Sequence, residues 1–156
     1  MRRWVIVSGA VAVIVAAALI LVYSFTAPFI EVHDVEIRLG VGSAALFLTI
    51  HNHGLLGDCL TNVKVLSPEG VIAEFHRSVM DEKGVMRMEK VDSICVGGLG
   101  EVRLGGIEAG GYHIMILGET DHMDRLKIEL LFQSGRIIPV EIMPTASQEH
   151  TEDHTH

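Results

Sequence analysis

Methionine and histidine side chains recur at short spacings in the middle of the chain. Met86 and Met88 are separated by one residue, as are His113 and Met115, and His76 precedes both pairs. Residues two apart on a β-strand project from the same face, so each pair presents its side chains together. Thioether sulfur selects Cu(I) and imidazole tolerates it, whereas calcium, magnesium and manganese prefer oxygen. The pattern predicts a Cu(I) site, although a single methionine in a strand is more often core filler.

Short alternating runs, separated by turns rich in Gly, Asp and Asn, occupy the chain from about residue 30 onward. They predict nine strands, at 32–39, 45–52, 62–66, 71–76, 85–91, 101–104, 112–117, 126–132 and 136–142. No helical periodicity is long enough to supply a crossover between parallel strands. We therefore predict an all-β fold, an antiparallel β-sandwich, with the His and Met pairs on its strands.

The N-terminal segment 4–23 contains no charged residue, and Arg2 and Arg3 precede it. About 20 apolar residues in a helix span the roughly 30 Å of bilayer hydrocarbon. Because positive residues stay on the cytoplasmic side, the rest of the chain should be extracytoplasmic. We predict a single-pass transmembrane helix in the cell membrane, and a cleaved signal peptide is the alternative. The predicted organisation is 1–27 anchor or signal and link, 28–145 metal-binding sandwich, and 146–156 tail.

Acidic residues outnumber basic ones, with 20 Asp and Glu against 12 Lys and Arg. Setting Arg2 and Arg3 aside makes the exported part more acidic still, and such a surface repels phosphate backbones. We therefore expect no nucleic-acid partner. The sequence also shows no nucleophile elbow, phosphate-binding loop or carboxylate pair within a motif, so we do not expect an enzyme.

The chain has two cysteines, Cys59 and Cys95. An oxidising compartment permits them to form a disulfide. Two separate buried thiols, which behave as small apolar residues, are the alternative. Cys95 has no histidine shortly after it, unlike the copper-binding loop of blue-copper electron carriers, which argues against that class.

Other histidines lie away from the Met-containing runs. His51 and His53 share a strand face, either near the predicted site or merely at the end of a strand. His150, His154 and His156 lie in the predicted disordered tail among acidic residues. Imidazole and carboxylate suit Cu(II), so the tail is either a loose secondary copper site or a solubilising segment.

The runs Gly84-Val85-Met86-Arg87-Met88 and Gly110-Gly111-Tyr112-His113-Ile114-Met115, with His76 upstream, together resemble the periplasmic copper chaperone family PCu(A)C, whose signature is a His, a Met and then a His-x-Met. The match covers roughly residues 32–143. The resemblance implies a cupredoxin-like sandwich. It assigns copper to His76, Met88, His113 and Met115, with Met86 as the alternative to Met88. The His76 to Met88 and Met88 to His113 spacings are both slightly longer than in the family.

The same resemblance implies a function. The protein would bind Cu(I) outside the cytoplasm and deliver it to the binuclear copper centre of a haem-copper terminal oxidase, with a copper-receiving oxidase subunit as partner. A Sco-type thiol chaperone often joins that pathway. Alternatives are a copper-storage or resistance protein and a membrane-anchored interaction module without metal. Because only the histidine ligands titrate near neutrality, we expect Cu(I) affinity to fall as pH drops through roughly 6.

Overall fold

The protein is described by a computed structural model over residues 2–105, 110–120 and 123–143, with the backbone alone at residues 2–10, 24 and 25. The predicted tail 146–156, with its three histidines, lies outside the described residues. One helix precedes ten strands in this part of the chain: α1 Arg2–Thr26, β1 Ile30–Gly40, β2 Ser43–Asn52, β3 Asp58–Ser67, β4 Ile72–Met80, β5 Met86–Val91, β6 Ile94–Val96, β7 Glu101–Leu104, β8 Tyr112–Leu117, β9 Leu126–Phe132 and β10 Ile137–Ile142.

The N-terminal apolar segment forms helix α1, as its composition predicts, and every described side chain from Val11 to Tyr23 is exposed. The transmembrane part of that prediction is not supported. Within the described residues, no helix is both long and apolar enough to cross a membrane.

The strands form two antiparallel sheets, which confirms the predicted β-sandwich. The first has six strands in the order β1-β2-β8-β4-β5, with β7 also paired to β2, and the second has four in the order β10-β9-β3-β6. Between them lies one apolar core. Its fully buried members include Leu46, Leu48, Ile50, Ile114, Ile116, Leu126, Ile128 and Leu130.

Alternation along the strands gives the six-stranded sheet an inner and an outer face. Ile114 and Ile116 on β8 point into the core, so His113 and Met115 on the same strand project from the opposite, outer face. Phe75 on β4 is buried in the core, which puts the adjacent His76 on the outer face too. Core residues therefore lie on the inner face of this sheet, and the candidate metal ligands lie on its outer face.

Asn52, at the end of β2, is fully buried and ties four backbone groups together. Its Oδ1 accepts hydrogen bonds from the Phe29 and Gly54 amides, at 3.1 and 2.9 Å. Its Nδ2 donates to the Leu56 and Gly97 carbonyls, at 2.8 and 3.0 Å. These bonds connect the residue before β1 to the β2–β3 loop and to the loop that follows β6.

Gly54 lies against the link between α1 and β1. A Cβ at this position would stand 2.1 Å from the Ala27 carbonyl oxygen, so only glycine fits without displacing the backbone. The Leu56 amide donates to the Thr26 carbonyl at 2.9 Å. The end of the helix is therefore held directly against the β2–β3 loop.

Cys59 on β3 and Cys95 on β6 are directly opposite each other and form a disulfide. β6 is the strand that the sequence did not predict. It is only three residues long, with Ile94 and Val96 buried and Cys95 exposed between them. So short a run between two turns carries too little periodicity to be recognised.

Candidate metal centre

His76 and His113 are directly opposite each other on the adjacent antiparallel strands β4 and β8. Their ring centroids are 5.9 Å apart and the ring planes are inclined at 40°. The His113 residue is 2% exposed and the His76 side chain 19% exposed. The two predicted imidazole ligands thus lie side by side, just below the surface of the outer face.

Three ring nitrogens of this pair are buried and have no hydrogen-bond partner: Nδ1 and Nε2 of His113, and Nδ1 of His76. Buried polar atoms in proteins are almost always paired, because an unpaired one carries its full desolvation cost. Unpartnered imidazole nitrogens on two neighbouring rings are suited to a bound cation. This donor set fits Cu(I), for which neutral imidazole is an acceptable ligand.

The remaining nitrogen of His76 is held by a carboxylate. His76 Nε2 lies 3.2 Å from Glu74 Oε2, and Lys90 Nζ lies 2.6 Å from Glu74 Oε1. Hydrogen bonds from Lys90 first and His76 second lower the pKa of Glu74, so its carboxylate is ionised and can only accept. Nε2 of His76 must therefore carry the proton, which leaves the Nδ1 lone pair free for a metal.

Burial lowers the pKa of His113, and the neighbouring His76 lowers it further. A charged imidazole is poorly solvated inside the protein, so the neutral form is favoured. Since a metal binds only the neutral ring, this shift prepares His113 for binding at pH values where an exposed histidine would already be partly protonated.

Met115 is half-buried, two residues from His113 on the same strand and face. Its cross-strand neighbours are Glu74 on β4 and Ala45 on β2. Because His76 pairs with His113 and Glu74 with Met115, Met115 is diagonal to His76 on the same face. The structure thus places His76, His113 and Met115 at neighbouring positions of the outer face.

Met88 lies on the opposite side of the histidine pair from Met115. It lies on the edge strand β5 opposite Ser78, diagonal to His76, and its side chain is 56% exposed. From the strand spacing and rise, its Cα is roughly 16 Å from that of Met115, with the histidine pair between them. Met88 is therefore at the limit of reach for a shared ion, and Met86, opposite Met80, lies two residue pairs further away.

In the described residues, no group of three or more His, Cys, Asp and Glu side chains is arranged to hold a metal ion. His51 and His53 stack on each other, with centroids 4.7 Å apart, near Glu31 and Glu101. They lie at the C-terminal end of β2, whereas Ala45, which pairs with Met115, lies near the start of β2. The strand-end interpretation of this pair is therefore correct.

Sequence reasoning assigned no role to three neighbours of the site. Glu74 fixes the proton of His76, Ser78 is 1% exposed with an unpartnered Oγ, and Met80 faces Met86. The repeat of Glu74, His76, Ser78 and Met80 at every second position of one strand was the available signal. It was missed because the predicted strand ended at residue 76, whereas β4 continues to Met80.

The sandwich has the fold of PCuAC domains. Three solved PCuAC domains share the fold: a copper-bound one from PmoF2 (17% identity, TM-score 0.56, 78% of this chain and 99% of that one), the apo PmoF2 domain (17%, 0.54, 76% and 91%) and an apo domain from PmoF1 (18%, 0.56, 77% and 99%).

The chain itself belongs to the LpqE-like family, whose family model, described as "Putative lipoprotein LpqE-like", matches residues 30–144. That range begins with β1 and extends just past β10, so it contains the complete sandwich. No curated protein matches the chain. The comparisons therefore support a PCuAC-like sandwich in an LpqE-like protein.

Proposed function

We propose that this protein is an extracytoplasmic Cu(I) chaperone. His76, His113 and Met115 bind the ion, and Met88 approaches from β5 as the fourth ligand. The observation that carries the proposal is the facing histidine pair, three of whose four ring nitrogens are buried without a partner. The copper-bound PmoF2 domain, which has the same fold, supports copper as the cargo.

Neutral ligands suit the transfer of a monovalent soft ion. Thioethers have no proton to lose and form no disulfides, so they bind Cu(I) in an oxidising compartment without a redox change. Met88 is exposed on the edge strand, whereas His113 is buried. An incoming protein can therefore displace the outer thioether first and the histidines last.

We further propose that α1 holds the protein at the membrane, with the sandwich outside the cytoplasm. The apolar side chains of α1 from Val11 to Tyr23 are exposed, and an apolar surface of this kind requires a lipid or protein partner. The description of the LpqE-like family as a lipoprotein family also supports attachment at the membrane.

The recipient that we propose is the binuclear copper centre of a haem-copper terminal oxidase, reached directly or through a Sco-type thiol chaperone. Thiolates bind Cu(I) more strongly than thioethers, and this chain has none free. Copper would therefore pass from this protein toward a thiolate site. The direct measurement is transfer from the Cu(I)-loaded protein to a purified oxidase subunit or Sco-type domain.

Cu(I) titration against a competing chromophoric chelator, under anaerobic conditions, tests the binding site. His113→Ala should weaken binding at least tenfold, because a buried ligand is lost. The matched control is His33→Ala, which removes an exposed histidine that contacts Glu31 at 3.2 Å on β1. Equal affinities for wild type and His113→Ala would overturn the ligand assignment.

A third variant separates the tail from the sandwich. Replacing His150, His154 and His156 by Ala should leave the Cu(I) affinity of the main site unchanged and remove the second, Cu(II)-preferring site that we propose for the tail. Loss of Cu(I) binding in this variant, with retention in His113→Ala, would move the copper site from the sandwich to the tail.

A further inference from the structure

Two thioethers face each other at the turn end of the β4–β5 hairpin. Met80, the last residue of β4, is directly opposite Met86, the first residue of β5. Directly opposed residues on antiparallel strands have Cβ atoms about 5 Å apart, so two methionine side chains here can reach one ion. Both belong to the outer face, because Met80 is four residues from His76 on a strand that pairs with β5 without a register shift.

The hairpin that carries this pair is rigidly built. Asp81 Oδ1 accepts hydrogen bonds from the Lys83 and Val85 amides, each at 2.9 Å, and Asp81 Oδ2 accepts one from Arg87 Nε at 3.0 Å. The Asp81 amide in turn donates to the Val85 carbonyl at 2.9 Å. These bonds fix the first residue pair of the hairpin, so Met80 and Met86 are held opposite each other.

Packing does not explain these methionines. Met80 is 57% exposed and Met86 is 41% exposed, so neither fills a gap in the core. Exposed positions at a hairpin end are usually occupied by polar residues, because apolar groups there gain little from burial. A directly opposed pair of exposed thioethers retains one chemical property that a pair of leucines lacks, which is affinity for a soft cation.

We propose that Met80 and Met86 form a second, weaker Cu(I) site, an outer thioether site through which the ion enters and leaves. The inference deepens the proposed function and rests on it. Met88 is two residues from Met86 on the same face and diagonal to His76. It therefore lies between the outer thioether site and the histidine pair, and can hold the ion alternately with either.

This arrangement gives copper a stepwise route along the outer face. The outer thioether site has two fixed thioethers and no imidazole, so it binds Cu(I) more weakly than the histidine pair. Copper therefore moves from the outer thioether site to the histidine pair when copper is abundant outside. It moves in the opposite direction when a stronger acceptor docks at the β5 edge. The route also accounts for the position of Met88, which lies at the limit of reach for an ion shared with Met115 and close to the outer thioether site.

Methyl-labelled methionine provides a direct test, because the chain has seven methionines, few enough to resolve and assign by substitution with Leu. The full-length protein is titrated anaerobically with the acetonitrile complex of Cu(I). We expect the Met115 and Met88 methyl signals to shift with the first equivalent and those of Met80 and Met86 with the second. Met123, which is buried in the core, and Met143, which is exposed after β10, serve as internal controls.

Two variants make the result decisive. The double variant Met80→Leu with Met86→Leu should lose the second equivalent, while the first retains its affinity within twofold. Met143→Leu, an exposed methionine away from the hairpin, should retain both. Met80 and Met86 signals that stay unchanged through three equivalents, or that move together with Met115 in one step, would overturn the outer thioether site.

The same titration distinguishes this proposal from the proposed function. In His113→Ala, the Met115 response should be lost or require at least tenfold more Cu(I), while Met80 and Met86 still respond. If Met80 and Met86 respond in the wild type but Met115 never does, the outer thioether site stands and the histidine-centred chaperone site fails.

Discussion

Glu74 accepts a hydrogen bond from His76 Nε2 at 3.2 Å, and this contact determines which nitrogen of His76 is free to bind a metal. Carboxylates in this position fix the tautomer and orientation of ligating histidines. The carboxylate is itself anchored by Lys90 at 2.6 Å. In the copper site that we propose, Glu74 is therefore a positioning residue, one step removed from the ion.

Glu74→Gln should weaken Cu(I) binding about tenfold to a hundredfold, the range found for partners of metal-bound histidines. Nitrogen-15 NMR of the histidine rings should show His76 losing its preference for the Nε2-protonated tautomer. Glu89→Gln, which affects an exposed carboxylate 4.0 Å from Arg77, is the control. If Glu74→Gln left both the Cu(I) affinity and the tautomer of His76 unchanged, Glu74 would not be a positioning residue.

The metal-free protein should lose stability as pH falls from about 6.5, the ordinary histidine value. Burial lowers the pKa of His113 in the folded state, so between the lowered and ordinary values the unfolded chain binds more protons. The contribution of His113 to stability is therefore complete above pH 6.5 and declines below it. Thermal unfolding of the wild type and His113→Leu at several pH values measures this, and equal slopes between pH 6.5 and 5 would contradict it.

The lowered pKa of His113 also changes the expected pH dependence of copper binding. Since His113 remains neutral below the ordinary histidine value, proton competition at this ligand should begin at a lower pH than for an exposed histidine. Chelator competition between pH 7 and 5 tests this. A tenfold loss of affinity already complete at pH 6.5 is the contrary result.

Asn52→Ala should destabilise the sandwich by about 3 kcal/mol, because it leaves buried backbone donors and acceptors without partners. Asn52 is fully buried, and its amide contacts Phe29, Gly54, Leu56 and Gly97. Asn62→Ala, at an exposed position of β3, is the matched control and should change stability little. Urea unfolding of both variants provides the comparison, and equal midpoints would show that the network contributes nothing.

Removal of the disulfide should lower the stability of the protein without reducing its copper binding. Cys59 and Cys95 are 36 residues apart, and a loop of that length corresponds to about 4 kcal/mol in the chain-entropy description. The double variant Cys59→Ala with Cys95→Ala should unfold at lower denaturant concentration and still bind Cu(I) as the wild type does. Loss of Cu(I) binding in a folded double variant would implicate sulfur other than the thioethers.

The sequence predicted the class of fold because period-two alternation is strong in most strands. Leu126 to Leu130, for example, alternates fully buried with half-buried residues, as predicted. The start of β3 was missed because a register shift between Leu60 and Asn62 interrupts its pairing with β9. A bulge of this kind breaks the period on which recognition depends.

The site was predictable in its residue types but not in its geometry. Period two placed His113 with Met115, since both lie on one strand. The opposition of His76 and His113 depends on the register between two strands far apart in sequence, which no local pattern encodes. The proton on His76 depends in the same way on Lys90 and Glu74, which meet only when β4 and β5 pair.

The bond between Cys59 and Cys95 has a consequence for electron flow. With both sulfhydryl groups joined in the disulfide, the chain has no free thiolate that could reduce Cu(II). On the function proposed above, the metal would therefore have to reach the sandwich already reduced, as Cu(I), because the protein supplies no thiol electrons of its own.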